Sequence, residues 1–354
     1  MTTLSDSIDD YCFFDFETRA LPGSGNSGDL KIAGTYRYAK NAHPIILTFA
    51  IGNGPVRCID HLSERSEDSP DELLDFSQRA QCGEAWFVAW NTGFDRAIWN
   101  NSVYEQWLGR MEPEMALDAM AQAMASNLPA DLQSASKVLG GPGKRLDGKD
   151  LIRLFSLADG ATPKSHPQEW EAFKRYAVQD TQVLRDVFRG TRALERFEWE
   201  EYWVSERINE RGIAVDIPFC EAAYDVSQAG TGWANRRLQE LTGDPVIRIT
   251  MVKRIADWVY DRLESSEARA ILDAGPGVVA DEADDTEDEP TKISLTRSRI
   301  SRLLTFLAAH PDPNPKLVEV LELREYGGSS SPVKFRKIVE QADGGRLKNQ
   351  YVFN

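Results

Sequence analysis

The apolar run Tyr11-Cys12-Phe13-Phe14 leads directly into Asp15-Phe16-Glu17. Four consecutive aromatic or apolar residues ask for a buried strand, and here that strand delivers two carboxylates at its end. Side chains alternate along a strand, so Asp15 and Glu17 point to the same face of the sheet. A buried, uncompensated carboxylate is costly, and coordination of a metal is one of the few ways to offset that cost. Two further acids stand in motifs downstream: Asp95 in the segment NTGFD (91–95) and Asp180 in YAVQD (176–180). Tyr176 and Asp180 are four apart in a helical pattern and therefore project from one helix face. Carboxylates converging from separate motifs are what two divalent ions, about 3.5–4 Å apart, need in order to cleave a phosphodiester. Each motif also has a plainer reading. Asp15 and Glu17 fit a solvated turn, Asn91 and Asp95 fit the cap of the following helix, and Tyr176 and Asp180 fit polar positions of an amphipathic helix. Taken jointly, the three motifs favour a metal site.

In this order and spacing, D-x-E, N-x-x-F-D and Y-x-x-x-D resemble the DEDD 3′–5′ exonucleases in their tyrosine-bearing branch. The histidine-bearing branch would need His where this chain has Arg175. The resemblance covers roughly residues 8–190. It implies an α/β fold, a ribonuclease H-like exonuclease domain with a mixed central sheet flanked by helices. It also implies that Asp15, Glu17 and Asp180 hold one divalent ion, with Asp15 bridging to a second that Asp95 reaches directly or through water. Hard oxygen ligands suit Mg²⁺ or Mn²⁺. Tyr176 would orient the attacking water, because an unperturbed phenol pKa of about 10 makes it a poor base at neutral pH. Asn91 is a candidate contact to the backbone or ribose of the terminal nucleotide. Phe16 and Phe94 are candidates to stack on terminal bases, core packing being the plainer role for both. The resemblance also implies that the chain passes closest to the terminal nucleotide at Thr18, whose backbone amide could reach a 3′-hydroxyl.

Strands are expected over 11–16, over the hairpin 43–60 turning at Gly52–Asn53–Gly54, and over 85–90. Helices are expected over 70–80 (capped by Ser69, with Pro70 in the first turn), 95–109, 119–126, 131–139 and 169–187. Residues 140–148 and 161–168 read as loops. A domain boundary is expected near 192, giving an exonuclease domain over 1–192 and a mainly helical, polymerase-thumb-like segment over 193–354. Gly212 is the expected C-cap of the first helix beyond that boundary.

ERINERGIAVD (206–216) resembles the opening of the polymerase portion of phage-type family A DNA polymerases, and residues from LELREYGG (321–328) onward resemble its thumb-to-palm passage. Palm motifs with catalytic aspartates do not follow, so polymerisation by this chain alone is not expected. Either the chain is a fragment, or palm and fingers come from a separate partner chain. The helical half is expected to touch duplex phosphates through segments such as WANRRLQELTG and SLTRSRISRLL, a solvated or docking face being the plainer role.

The net charge of −15 argues against a generic nucleic-acid binder. The imbalance is local, however. DEADDTEDE (281–289) places seven acids in nine positions and reads as a solvated, disordered insert spanning about 275–291. Basic residues gather instead in GKRLDGKDLIRLF (143–155), around Arg297, Arg299 and Arg302, and near the C-terminus, as candidate phosphate contacts for which a solvated face is the plainer role. Four cysteines without C-x-x-C spacing indicate neither a zinc site nor a disulfide framework, which points to a reducing, cytoplasmic setting in a bacterium or a phage-infected cell. No apolar run reaches membrane-spanning length. The expected function is metal-dependent removal of nucleotides from single-stranded or frayed DNA 3′ ends, in proofreading. The alternatives are a DNA-binding assembly module of a split polymerase and an RNA 3′-end trimming exonuclease.

Overall fold

β1 (Tyr11–Ala20) is the central strand of the molecule, ten residues long and buried along nearly all of them. In this computed structural model the described residues are 4–63, 71–141, 148–157, 160–273, 293, 295–327 and 331–351. The expected Ser69–Pro70 cap, the acidic insert, and Lys144 and Arg145 lie outside them. The chain falls into two units, Met1–Asp216 with Glu340–Asn354, and Ile217–Val339.

In the first unit, β1 is followed by α1 (Leu30–Ala39, interrupted at Gly34), β2 (Ala42–Ile51), β3 (Arg57–Asp60), α2 (Asp71–Gln81) and β4 (Trp86–Ala89). Next come α3 (Thr92–Trp99), α4 (Val103–Leu108), β5 (Ala116–Asp118), α5 (Ala119–Ala125), α6 (Leu132–Val138), α7 (Gly148–Phe155), α8 (Pro167–Gly190), α9 (Arg196–Arg211) and β6 (Ile213–Ala214). The strands form a mixed sheet in the order β3-β2-β1-β4-β5. β2 runs antiparallel to both β1 and β3, while β1, β4 and β5 run parallel.

The two-residue period of β1 sorts its side chains between two cores. Cys12, Phe14 and Phe16 pack with Phe76, Phe87, Trp99 and Tyr104 beneath α2, α3 and α4. Phe13 faces the other way, into a cluster with Val88, Leu117, Leu184 and Trp199. Each large apolar side chain so buried contributes about 1.5–3 kcal/mol. Asp15 and Glu17 share the Phe13 side, as alternation requires. The register of β1 against β2 slips between Glu17 and Thr18, a bulge at the end of the acidic pair.

α8 is the main helix on that side. Pro167 opens it, and Trp170, Phe173, Tyr176, Ala177, Asp180, Thr181, Leu184 and Val187 form its buried stripe at helical spacing. Arg185 donates to the carbonyls of Gly52 and Gly54, and Arg189 to Asn53 Oδ1, so the helix clasps the β2–β3 turn. The expected single helix over 95–109 is two, α3 and α4. Asn100 breaks it by turning its side chain onto the backbone of Met111, and Ser102 caps the second piece.

The expected boundary near 192 falls inside the first unit. α9 buries Trp199, Tyr202 and Trp203 against β4 and β5, and Trp203 Nε1 donates to Ala116 O at 2.9 Å. Gly212 ends α9 at φ 67°, as expected of a C-cap. The chain then returns at its far end. β7 (Arg346–Leu347) pairs antiparallel with β6, and Asn209 exchanges two hydrogen bonds of 2.9 Å with the backbone of Tyr351.

The second unit is helical, with α10 (Ile217–Thr242), α11 (Val252–Tyr260), α12 (Ser266–Leu272), α13 (Arg297–Ala308), α14 (Pro315–Gly327) and most of α15 (Ser331–Gln341). Leu238, Ile255, Leu303, Val320 and Leu321 centre its core. Arg237 on α10 forms a two-pronged pair with Glu319 on α14, at 2.6 and 2.9 Å. This commits one of the arginines considered above for phosphate contact.

Candidate active site

Asp15 and Glu17 leave β1 toward α8, which turns Tyr176 and Asp180 toward them. Asp15, Glu17, Tyr176 and Asp180 line one pocket of about 280 Å³, with Trp90 and Asp131 on its rim. A buried bond sets the height of the helix. Thr48, opposite Asp15 on β2, and Thr181, next to Asp180, join hydroxyl to hydroxyl at 2.6 Å. Tyr176 is fully buried. Its ring stacks on Phe173 with centroids 6.0 Å apart, and Gly148 of α7 abuts its other side. A methyl group at position 148 would overlap the Tyr176 ring carbons. Gly148→Ala is therefore expected to displace the tyrosine and to cost about 1–3 kcal/mol in urea unfolding. A variant with wild-type stability would show that this contact is slack.

Asp95 arrives from α3 and is buried. Beyond the end of β4, the backbone N–H of Phe16 has lost its neighbouring strand, and Asp95 Oδ1 accepts from it at 3.1 Å. That bond places Asp95 beside Asp15. Burial and the Asp15 carboxylate together hold the Asp95 pKa well above the usual carboxylate range. Tyr176 is likewise raised, by burial first and then by Asp180, Glu17 and Asp15. Its hydroxyl therefore keeps its proton at neutral pH.

Asn91 precedes α3 in a left-handed conformation (φ 60°, ψ 55°), uncommon for a residue other than glycine. Its side chain does not cap the helix, so the plainer reading of this motif is not the one realised. The strain is held by Asp118 at the end of β5, whose Oδ1 accepts from Asn91 N at 2.9 Å. Asp118 is itself buried, and burial raises its pKa to about 6. Asn91, Phe94 and Asp95 line a second pocket of about 430 Å³ that shares Asp15 with the first. Across it lie Tyr36 of α1 and Lys348 and Gln350 of the returning chain.

The donor set suits a hard cation. Four carboxylates with all-oxygen donors surround the adjoining pockets, and the raised pKa of Asp95 marks negative charge that a divalent ion would relieve. Among the described residues no three His, Cys, Asp or Glu side chains are gathered closely enough to enclose one ion. The acids ring the two pockets rather than meet at a point.

Of the nine residues singled out in the sequence, Asp15, Phe16, Glu17, Asp95, Tyr176, Asp180, Asn91 and Phe94 sit around these two pockets. Phe16 lines the smaller pocket, but its ring is held in the core. It is 4% exposed and packs edge-on against Phe14 and tilted against Tyr104, on the opposite sheet face. Alternation along β1 already required this. Thr18 lies past the bulge, buried, its hydroxyl bonded to Tyr38 Oη at 2.9 Å and outside both linings. Asp118 and Gly148 were not anticipated, nor was the meeting of residues 341–350 with the larger pocket. The LDA triplet at 117–119 carries a cap signal, since Asp118 accepts from Met120 N, but nothing local marks it as support for Asn91.

The chain is similar to the DNA polymerase of Bacillus phage SP02, with 26% identity over 235 residues that make up 62% of this chain and 35% of that one. It is also similar in fold to the POL domain of Pol1 from M. smegmatis, solved in complex with DNA primer-template and dNTP. The TM-score there is 0.52 at 13% identity, over 93% of this chain and 52% of that one. The chain thus spans about a third of the length of the phage relative and about half of the solved structure. No family model matches. Among the described residues, no helix is long and apolar enough to cross a membrane.

Proposed function

We propose that the chain is a metal-dependent 3′–5′ exonuclease acting on DNA, working in proofreading beside a polymerase activity. The observation that carries this reading is the convergence of Asp15, Glu17, Tyr176 and Asp180 on one pocket, with Asp95 hydrogen-bonded to the same strand. A mixed sheet with helices on both faces is in keeping with a ribonuclease H-like domain. Similarity to a phage DNA polymerase supports DNA as the nucleic acid. The helical unit 217–339 would be a thumb-like part that grips duplex backbone.

Asp15, Glu17 and Asp180 would hold one divalent ion of the Mg²⁺ or Mn²⁺ type, and Asp15 with Asp95 a second. Such ions, when bound, supply the charge that activates water and stabilises the departing 3′-oxygen. The chain's own groups position the rest. Tyr176, kept protonated by burial and by its acidic neighbours, would orient the attacking water by hydrogen bonding and take no proton from it. Asn91, presented by its left-handed backbone, reaches toward the terminal nucleotide, and Phe94 offers a ring face to a base.

Digestion of 5′-labelled single-stranded DNA with Mg²⁺ or Mn²⁺ tests the reading. The expected result is a ladder shortening from the 3′ end that EDTA abolishes. A folded, metal-replete protein that leaves the 3′ end intact would sink it. Tyr176→Phe is expected to slow hydrolysis by about 10–100-fold while leaving the shape of the pH–rate profile unchanged, since no tyrosine ionisation contributes to it. A profile that loses a limb in the variant would make Tyr176 a base instead. A second reading, docking within a split polymerase, is favoured by one feature of α10. Phe219, Val226 and Trp233 recur at seven-residue spacing and are each more than half exposed. Co-migration with a separately expressed polymerase chain, lost in Val226→Glu, would support it.

A further inference from the structure

The larger pocket contains a feature that the four-carboxylate chemistry does not use. Asp15 and Asp95 make it acidic, yet a DNA strand that enters it brings phosphates. Lys348 is the single lysine or arginine among the described residues that line it. It comes from the returning chain, far from the exonuclease motifs in sequence. Its ammonium sits 5.1 Å from the centre of the Tyr36 ring and 2.9 Å from Asp343 Oδ2. Lys40 takes the other oxygen of Asp343 at 2.7 Å. Two ammoniums on one carboxylate leave this three-residue cluster with one net positive charge, presented to the pocket by Lys348.

The segment that carries Lys348 is pinned. Arg37 Nη1 donates to Glu340 O at 2.6 Å, Arg346 Nη2 to Gly212 O at 2.9 Å, and β7 pairs with β6. Asn209 fixes the chain three residues beyond Lys348, at Tyr351. The lysine is therefore presented by a held strand. Beside it, Gln341 and Gln350 bring side-chain amides suited to base edges, and Phe94, stacked on Tyr38, brings an aromatic ring to the lining. A volume of about 430 Å³ is of the size that small-ligand pockets have.

We propose that this pocket is a nucleotide subsite for the single strand, with Lys348 as its phosphate contact and the returning segment as its wall. The proposal rests on the exonuclease reading for the direction of the strand, but its test does not depend on hydrolysis. Binding of a short 5′-fluorescein oligothymidylate is followed by fluorescence anisotropy in EDTA, across a salt series, with the full chain. Lys348→Ala is expected to weaken binding about fivefold and to flatten the slope of log K against log salt by about 0.7, the share of one phosphate on a single strand. Asp343→Asn removes the counter-charge of both lysines and is expected to tighten binding. A purely structural role for this cluster predicts loss in both variants, and that outcome overturns the proposal. So does a Lys348→Ala protein with wild-type affinity and slope, or a wild-type protein that does not bind the oligonucleotide. Lysine-dependent binding by a wild-type protein that does not shorten DNA with Mg²⁺ or Mn²⁺ would overturn the exonuclease reading and leave the subsite standing.

Discussion

Asp15→Asn is expected to lower 3′-end hydrolysis by about three orders of magnitude while raising the thermal stability of the metal-free protein. The loss follows from its position. Asp15 is the one acid shared by both pockets, so removing its charge weakens the hold on either ion. Several kcal/mol of transition-state charge stabilisation, at 1.36 kcal/mol per tenfold, corresponds to about that loss. The gain in stability follows from the same crowding. Burial and Asp15 raise the Asp95 pKa, so the folded protein binds a proton that the unfolded chain releases near the ordinary carboxylate value. Stability contributed by that proton is present at low pH and is lost as pH rises toward the elevated pKa of Asp95. Asp15→Asn removes the Coulombic part of the shift, so the decline of melting temperature with rising pH should become shallower. Scanning calorimetry in EDTA across a pH series measures this. An unchanged slope, or retained hydrolysis, would show that Asp15 is not the hinge of the site.

Arg96→Leu is expected to cost about 3–5 kcal/mol, the largest effect on stability of any substitution considered. Arg96 is 2% exposed and follows Asp95 directly on α3. It donates to Glu206 Oε2 at 2.7 Å and also to Glu210, both on α9. Burial opposes its charge, but Glu210 and Glu206 more than offset this and raise its pKa further. Without the guanidinium, Glu206 is left as a buried negative charge that accepts from Asn209 Nδ2 at 3.2 Å. Replacing both partners with apolar residues is often close to neutral, so adding Glu206→Leu to Arg96→Leu should restore part of the loss. Urea unfolding of the single and double variants measures both. A single variant within about 0.5 kcal/mol of wild type would show that the pair is not desolvated.

The local skeleton of the site was legible in the sequence, and the reason is periodicity. Alternation along Tyr11–Glu17 assigned both carboxylates to one sheet face, and the same rule consigned Phe16 to the opposite core, a consequence at odds with its candidacy as a base contact. The four-residue step from Tyr176 to Asp180 gave one helix face, and the structure has both buried on the stripe of α8. Gly212 announced the end of α9 because a left-handed residue there strongly favours glycine.

Nothing local announced the rest. The break between α3 and α4 depends on Asn100 meeting Met111, and the place of α9 in the first unit depends on where three aromatic residues find apolar surface. The support of Asn91 by Asp118, the fit of Gly148 against Tyr176 and the wall brought by Lys348 all join residues far apart along the chain. Propensity and hydrophobic period act over a turn of helix or a pair of strand residues, so they fix which face a side chain takes. Which distant side chain it then meets is settled by the packing of elements and the closing of the chain upon itself. The sequence by itself determined that the carboxylates of β1 and α8 emerge on single faces. Only the tertiary structure brought those faces together, set Asp95 beside them, and returned a lysine to the pocket.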